Sequence, residues 1–498
     1  MKSARSAQCS HTALAVLTAT TVFFSLVPSG RATVKPIKVA QSTGMLCPAQ
    51  LATSMNRVLD RVSGAHWSVL VQTQGSSRRT LFARNPATLL IPASNNKIFT
   101  TAAALKKLGA QYRIRTTVYG SGSSPNLATL RIVGHGDPSL TTTQLEAIAQ
   151  QLSQRGIRQV TQLIGDDTYF RGALTNSFWD AEDAGQAYAA PINGLILNQN
   201  IIGLTAFPQR VGQSLQVEWD DPTDASDWKL NNQGVTVSAS GGEFLDVDRA
   251  GSTIRVTGQL RTGSESELIG VAIPNPGNYL VKKFRDTLSR NNIAVTNSTL
   301  VKFTPVRANE VELAVVESPP LSSLLFETNQ ESNNTYAEVL LKTLGQQQKP
   351  TSQNMTESGT IAVKSILSDL GVNSDRYRMV DGSGLADRNR ASAEAFVETL
   401  QAMTQIPEAD VFRRSLAVSG VSGTLKKRFR NTPAQGIVSA KTGMITGAVA
   451  LSGYVTPPNH PPLVFSVIAN SDASAGTVRS SIDDLVILLA RLRSCEGQ

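Results

Sequence analysis

Three cysteines occur in 498 residues, and their placement limits the folds open to the chain. Cys9 falls in an N-terminal leader, which leaves Cys47 and Cys495 near the two ends of the remaining chain. In an oxidising compartment two such residues read as a disulfide, with a pair of unrelated buried or free thiols as the alternative. A bridge between them closes a very long loop, and chain entropy then contributes upwards of about 4 kcal/mol before strain is discounted. It also makes the termini neighbours, so the first and last elements must pack together.

The leader is legible by itself. Lys2 and Arg5 precede an apolar run over residues 13–27 that only Thr and Ser interrupt, and Pro28, Gly30 and small Ala32 follow. This is the layout of a secretory signal peptide spanning 1–32 and cleaved after Ala32, with a retained N-terminal anchor as the alternative. Fifteen apolar residues are short of the roughly 20 that span a bilayer. The expected location is therefore outside the cytoplasm, periplasmic or facing the cell wall, with peripheral membrane association as an open option.

The formal charge of +9 loses weight once position is considered. Lys2, Arg5, Arg31, Lys35 and Lys38 sit in a first stretch without acidic residues, and beyond them 42 basic groups face 38 acidic ones. No run of Lys and Arg interleaved with aromatics marks a nucleic-acid face, so no nucleic-acid partner is expected. The 41% hydrophobic content fits an ordered globular chain long enough for two or three domains.

Periodicity divides the chain in three. Residues 48–62 carry Leu51, Met55, Val58 and Leu59 at helical spacing. A hairpin follows, with strands at 66–72 and 80–84 around Gly75-Ser76-Ser77, and then a helix from Ser94 to Lys107 stopped by Gly109. From 114 to 310 the pattern changes to short β-like runs and turns with helices near 142–154 and 277–291, read as an insertion of two subdomains. Helical patterns return at 321–345, 357–370 and 391–404, strands at 436–441, 447–455 and 463–469, and a last helix at 478–493. The expected division is a discontinuous domain of residues 42–113 and 311–498 interrupted by 114–310. One antiparallel sheet built from the early hairpin and the late strands, with the first and last helices packed on it, brings Cys47 to Cys495.

Several chemistries are disfavoured. His66, His135 and His460 show no metal-ligand spacing, and two cysteines do not make a zinc cluster, so no metal and no cofactor are expected. No GxSxG elbow supports a Ser-His-Asp triad. Serine chemistry with a lysine base remains. Ser94-Asn95-Asn96-Lys97 opens a helix, where positions i and i+3 share a face and a hydroxyl meets an amine. Such a lysine acts as a base only when burial and nearby positive charge lower its free pKa of about 10.4. The spacing alone is cheap, because Ser226-Asp227-Trp228-Lys229 repeats it in a polar loop. Ser-x-Asn is equally cheap, at Ser54-Met55-Asn56 and Ser289-Arg290-Asn291. Order and setting discriminate. Ser94 and Lys97 are followed by Ser332-Asn333-Asn334 at a helix break, and then by the single Lys441-Thr442-Gly443 triplet at a strand.

Those three elements in that order are similar to the Ser-x-x-Lys, Ser-x-Asn and Lys-Thr-Gly set of penicillin-binding proteins and serine β-lactamases. Over nearly all its exported length the chain resembles the low-molecular-mass class C penicillin-binding proteins, the D-alanyl-D-alanine carboxypeptidase/endopeptidase family. The similar segments are PASNNKIFTTAAALKKLG (92–109), GDPSL (136–140), LIGDD (163–167), SNNTYAEVLLKTLG (332–345), DGSGLADRNRAS (381–392), GVSGTLKKRF (420–429) and SAKTG (439–443). The resemblance implies an α+β fold: a transpeptidase-like domain with an antiparallel five-stranded sheet, helices on both faces and a β-rich insertion.

It also implies roles. Ser94 is the nucleophile, Lys97 the base, Ser332 a proton relay to the leaving amine and Asn334 a holder of the substrate amide. Lys441 assists the proton traffic and attracts the substrate's terminal carboxylate. Thr442 donates to that carboxylate, Gly443 lies beside the substrate, and the backbone N–H groups of Ser94 and Met444 form the oxyanion hole. Met444 departs from the family pattern, which has a hydroxyl there, and methionine donates no hydrogen bond. The Asp381-Gly382-Ser383-Gly384 turn is given no catalytic role. The implied substrates are peptidoglycan stem peptides, with β-lactam antibiotics as covalent inhibitors. A β-lactamase or esterase on a related fold, and a non-catalytic cell-wall binding protein, are the competing readings.

Overall fold

The computed structural model describes residues 44–301 and 309–495; the leader and Cys9 lie outside them. At its centre is an antiparallel sheet in the order Ala417–Val418, Val438–Ile445, Ala448–Val455, Leu463–Asn470, His66–Thr73, Thr80–Arg84. Five of these strands are the expected ones, and the two-residue strand at 417–418 adds a sixth at the edge. Its two residues were too short a pattern to read from the sequence.

Alternation along the central strands builds two cores. Val69, Val71, Val449, Leu451, Phe465 and Val467 face one side, where they pack on Leu51, Met55 and Leu59 of the Pro48–Leu59 helix and on Ile482, Leu485 and Leu489 of the Ala475–Ala490 helix. Leu70, Ala450, Val464 and Ile468 face the other, against the helices Lys97–Leu108, Asn334–Gln348, Met355–Asp369 and Ala393–Met403. Covered on both faces, Ala448–Val455 is buried throughout, which is why its sequence is largely apolar on both sides of the alternation. Each large aliphatic side chain so buried is worth about 1.5–3 kcal/mol.

The chain ends meet as the cysteines required. Cys47 and Cys495 are bonded with their Cα atoms 5.8 Å apart. Backbone pairing supports the junction: Leu46 N–H donates to Arg491 O at 2.9 Å, and Arg493 N–H to Leu46 O at 3.0 Å.

A third apolar cluster draws on residues from Val118 to Ala314. One sheet there runs Ala294–Val301, Gln159–Asp166, Asn126–Gly134, Arg115–Ser123, Val311–Glu317, with the helices Thr142–Gln154 and Pro276–Arg290 alongside. Buried Arg131 pairs with Asp166 at 3.0 Å and Glu310 at 3.1 Å within it. Two smaller sheets, around Ile201–Phe207 and Thr253–Arg261, share the same cluster.

Two boundaries differ from expectation where chemistry is concentrated. The helix expected to begin at Ser94 begins at Lys97, and Ser94 lies on a 3₁₀ turn, Ala93–Asn96. The pattern at 321–345 is two helices, Leu321–Asn329 and Asn334–Gln348, with Ser332 between them at φ 59°. Asn333 caps the second helix by accepting from Tyr336 N–H, so the helix starts at Asn334, two residues beyond Ser332.

Candidate active site

The turn that carries Ser94 is clamped from both sides. Asn95 Nδ2 donates to Ser452 Oγ at 2.7 Å on the central sheet, and Asn96 Nδ2 donates to the Asp381 carbonyl at 2.9 Å. Gly443 lies so near that a Cβ there meets Pro92 O at 2.5 Å and Ser94 N at 3.2 Å. Only a residue without a side chain lets the Lys-Thr-Gly strand approach the serine this closely. Ala93, just before it, is held at φ 48°.

Lys97 is fully buried beneath Ser94. Its Nζ lies 3.0 Å from Ser94 Oγ, 2.7 Å from Asn334 Oδ1 and 2.8 Å from the Ser383 carbonyl. Burial lowers its pKa to about 7, and the carboxylates of Asp381 and Glu338 pull the other way. Lys441, also fully buried, donates from Nζ to Ser332 Oγ at 2.8 Å and to its neighbour's carbonyl, Thr442 O, at 2.8 Å. Desolvation and then the nearby Lys97 charge hold its pKa well below the ordinary lysine value.

Ser94, Lys97, Ser332, Asn334, Lys441 and Gly443 therefore converge, although they are spread over 350 residues of sequence. Thr442 Oγ1 lies 2.9 Å from Thr424 Oγ1. Met444, two residues along the same strand, is 38% exposed. The decoy lies on the surface and not on one helix: Ser226 ends a 3₁₀ turn, Lys229 opens a strand, both are exposed, and Ser226 Oγ donates to Thr223 O at 3.0 Å.

Five residues make contacts that were not foreseen. Ser383 contributes its carbonyl to Lys97, so the 381–385 turn takes part in the site after all. Buried Glu338 holds that turn, accepting from Gly382 N–H at 2.9 Å and Ser383 N–H at 2.8 Å. Burial, and then the charge of Asp381, raise the Glu338 pKa to about 7. From the segment after residue 167, Tyr188 O accepts from Asn334 Nδ2 at 2.8 Å and Gln199 Oε1 from Asn333 Nδ2 at 2.6 Å. Trp179 Nε1 donates to Asp381 at 3.0 Å. Backbone carbonyls leave no side-chain signature, and a glutamate four residues into a helix reads as surface. Only the Asp-Gly-Ser-Gly turn gave a local signal.

Comparison with known proteins identifies the family. Residues 49–492 match the model of the D-Ala-D-Ala carboxypeptidase 3 (S13) family. A D-alanyl-D-alanine carboxypeptidase from an Actinomadura species is 32% identical over 421 residues, covering 81% of this chain and 77% of that protein. The penicillin-sensitive carboxypeptidase A of Dictyostelium discoideum is 27% identical over 466 residues, covering 86% and 88%. The crystal structure of penicillin binding protein 4 from Haemophilus influenzae shares the fold, with a TM-score of 0.75 at 22% identity over 87% of this chain and 98% of that one. The chain belongs to the D-Ala-D-Ala carboxypeptidase 3 (S13) family and is a serine-type D,D-peptidase of peptidoglycan.

Proposed function

We propose that Ser94 is acylated by the penultimate D-alanine of stem peptides, with Lys97 as its base, and that the chain acts as an exported carboxypeptidase. The observation that carries this reading is the set of partners around Lys97. A neutral amine has two N–H groups and one lone pair. Asn334 Oδ1 and the Ser383 carbonyl accept only, and they take the two hydrogens at 2.7 and 2.8 Å. The lone pair is left facing the Ser94 hydroxyl at 3.0 Å. A pKa of about 7 keeps that neutral form populated near neutral pH.

The steps then follow. Ser94 Oγ bonds to the carbonyl carbon as its proton passes to Lys97. The Ser94 and Met444 N–H groups stabilise the oxyanion. The C–N bond breaks as the proton taken up by Lys97 is passed on, through Ser332 hydrogen-bonded by Lys441 Nζ, to the departing amine, which returns Lys97 to its neutral form. Water next adds to the acyl carbon as its proton passes to Lys97, and Lys97 returns that proton to Ser94 Oγ as the ester C–O bond breaks. β-Lactams enter the first step and acylate the same oxygen.

The same reading treats residues 42–113 and 318–498 as the peptidase domain and 114–317 as an insertion that touches the site through Tyr188 and Gln199; the expected boundary at 310 moves because Val311–Glu317 pairs with Arg115–Ser123 of the inserted sheet. It places the chain outside the cytoplasm after cleavage at Ala32. No helix among the described residues is long and apolar enough to cross a membrane. A second reading, cleavage of cross-links, is favoured by Met444, which offers no hydroxyl to a free terminal carboxylate.

The test is release of D-alanine from a D-alanyl-D-alanine tripeptide. Ser94→Ala that folds but releases none agrees with the proposal. Ser94→Ala that retains activity refutes it.

A further inference from the structure

We infer that Thr424 is a specificity-determining residue, supplying to the substrate's terminal carboxylate the hydroxyl that position 444 lacks. This deepens the proposed function and rests on it.

The geometry starts from the strand edge. Ala417–Val418 pairs with Ser439 and Ala440 and ends there, so this partner strand does not extend alongside residues 441–445. Thr442 and Met444 are two residues apart and share one face of the strand. At the end of Ala417–Val418 the chain turns through Gly423–Leu425, and this turn sets Thr424 Oγ1 2.9 Å from Thr442 Oγ1. The turn is built to stay there. Thr424 N–H donates to Gln330 O at 3.0 Å, two residues before Ser332. A Cβ on Gly423, which sits at φ 54°, meets Gln330 O at 2.6 Å and Ala417 Cβ at 3.0 Å. Thr424 is thus tied both to the segment carrying Ser332 and to the neighbouring strand.

Chemistry completes the argument. A carboxylate has two oxygens and accepts from several donors, and a pair of hydroxyls 2.9 Å apart presents two O–H groups to it side by side. Without substrate the Thr442 hydroxyl donates to the Thr424 oxygen. When an anion arrives both can turn towards it at little cost. The local charge suits an anion: Lys426 is exposed two residues further on, and Lys441 lies beneath Thr442. Half-buried Glu331 lies among these groups with Glu327 near it, and the Glu331 charge is faced by both Lys426 and Lys441. Met444, with its side chain exposed on the same face, leaves Thr442 with a hydroxyl neighbour on the Thr424 side only.

Two peptidyl thioesters of D-alanine test this, a thioglycolate that keeps the terminal carboxylate and an ethyl thioester that lacks it. For Thr424→Val, kcat/KM on the thioglycolate falls about tenfold through KM, the size of one lost hydrogen bond to a charged group, while the ethyl thioester is unaffected. Thr424→Ser behaves as wild type, and Met444→Thr restores the thioglycolate in the Thr424→Val background. Equal losses on both substrates, or no loss on either, overturn the inference. Ser94 labelling by penicillin separates the failures. Full labelling of Thr424→Val with an unchanged substrate ratio sinks only the role of Thr424, whereas absent labelling of wild type sinks the underlying mechanism.

Discussion

Asn334 and Lys97 are joined by a 2.7 Å hydrogen bond that fixes which way the Asn334 amide faces. Its Oδ1 accepts from the lysine, so its Nδ2 turns to the Tyr188 carbonyl at 2.8 Å. One side chain thus links the buried amine to a segment 146 residues away in sequence. Asn334→Asp keeps the shape and puts a carboxylate against the amine, which raises the lysine pKa. Each unit of rise costs about tenfold in the neutral fraction below that pKa. Stopped-flow acylation at pH 7 is expected to slow by about tenfold or more and to recover at higher pH.

The wild-type pH profile follows from the same group. Burial brings Lys97 to about 7, so below that pH the amine is charged and cannot take the Ser94 proton. Acylation therefore rises with pH through about 7 to a plateau. The sign for stability agrees with the direction of the shift. Between about 7 and the ordinary 10.5 the unfolded chain binds the extra proton, so the stability lost by burying Lys97 is recovered as pH climbs. A pre-steady-state acylation rate that stays flat from pH 5 to 9 contradicts the assignment of Lys97 as base.

Gly443→Ala probes the approach of the Lys-Thr-Gly strand to the Ser94 turn. The added methyl meets Pro92 O and the backbone of Asn95 and Ser94. A displacement near 1 Å is enough to cost about a hundredfold in rate. The variant is expected to fold, shown by circular dichroism, and to lose about that factor in kcat/KM.

Replacing both cysteines by serine tests the tie between the termini. The bridge closes a separation of 448 residues, and its loss is expected to cost about 2–5 kcal/mol in urea denaturation. The Leu46 pairing with Arg491 and Arg493 remains, and the neighbouring Leu46 and Leu492 pack in a different core from the Lys97–Leu108 helix. D-Alanine release at 25 °C is therefore expected to stay close to wild type.

What the sequence disclosed and what it hid follow one physical division. Strands buried on both faces, amphipathic end helices and the cysteine pair are written in side-chain type and spacing, and each appears where that spacing placed it. The residues around Ser94 were found by motif order. Hidden were contributions that depend on backbone position, such as the Ser383 and Tyr188 carbonyls, and on long-range packing, such as Glu338 beneath the 381–385 turn. Thr424 sat in a segment noticed for its resemblance, but nothing local showed that its hydroxyl meets Thr442.

The central claim is that Ser94 is the acylated oxygen, and trapping the adduct tests it directly. The protein is incubated with a penicillin, digested and mapped by mass spectrometry. A stoichiometric penicilloyl adduct on the peptide containing Ser94, absent in Ser94→Ala, is the predicted result. An adduct on another residue, or none on well-folded protein, contradicts the account.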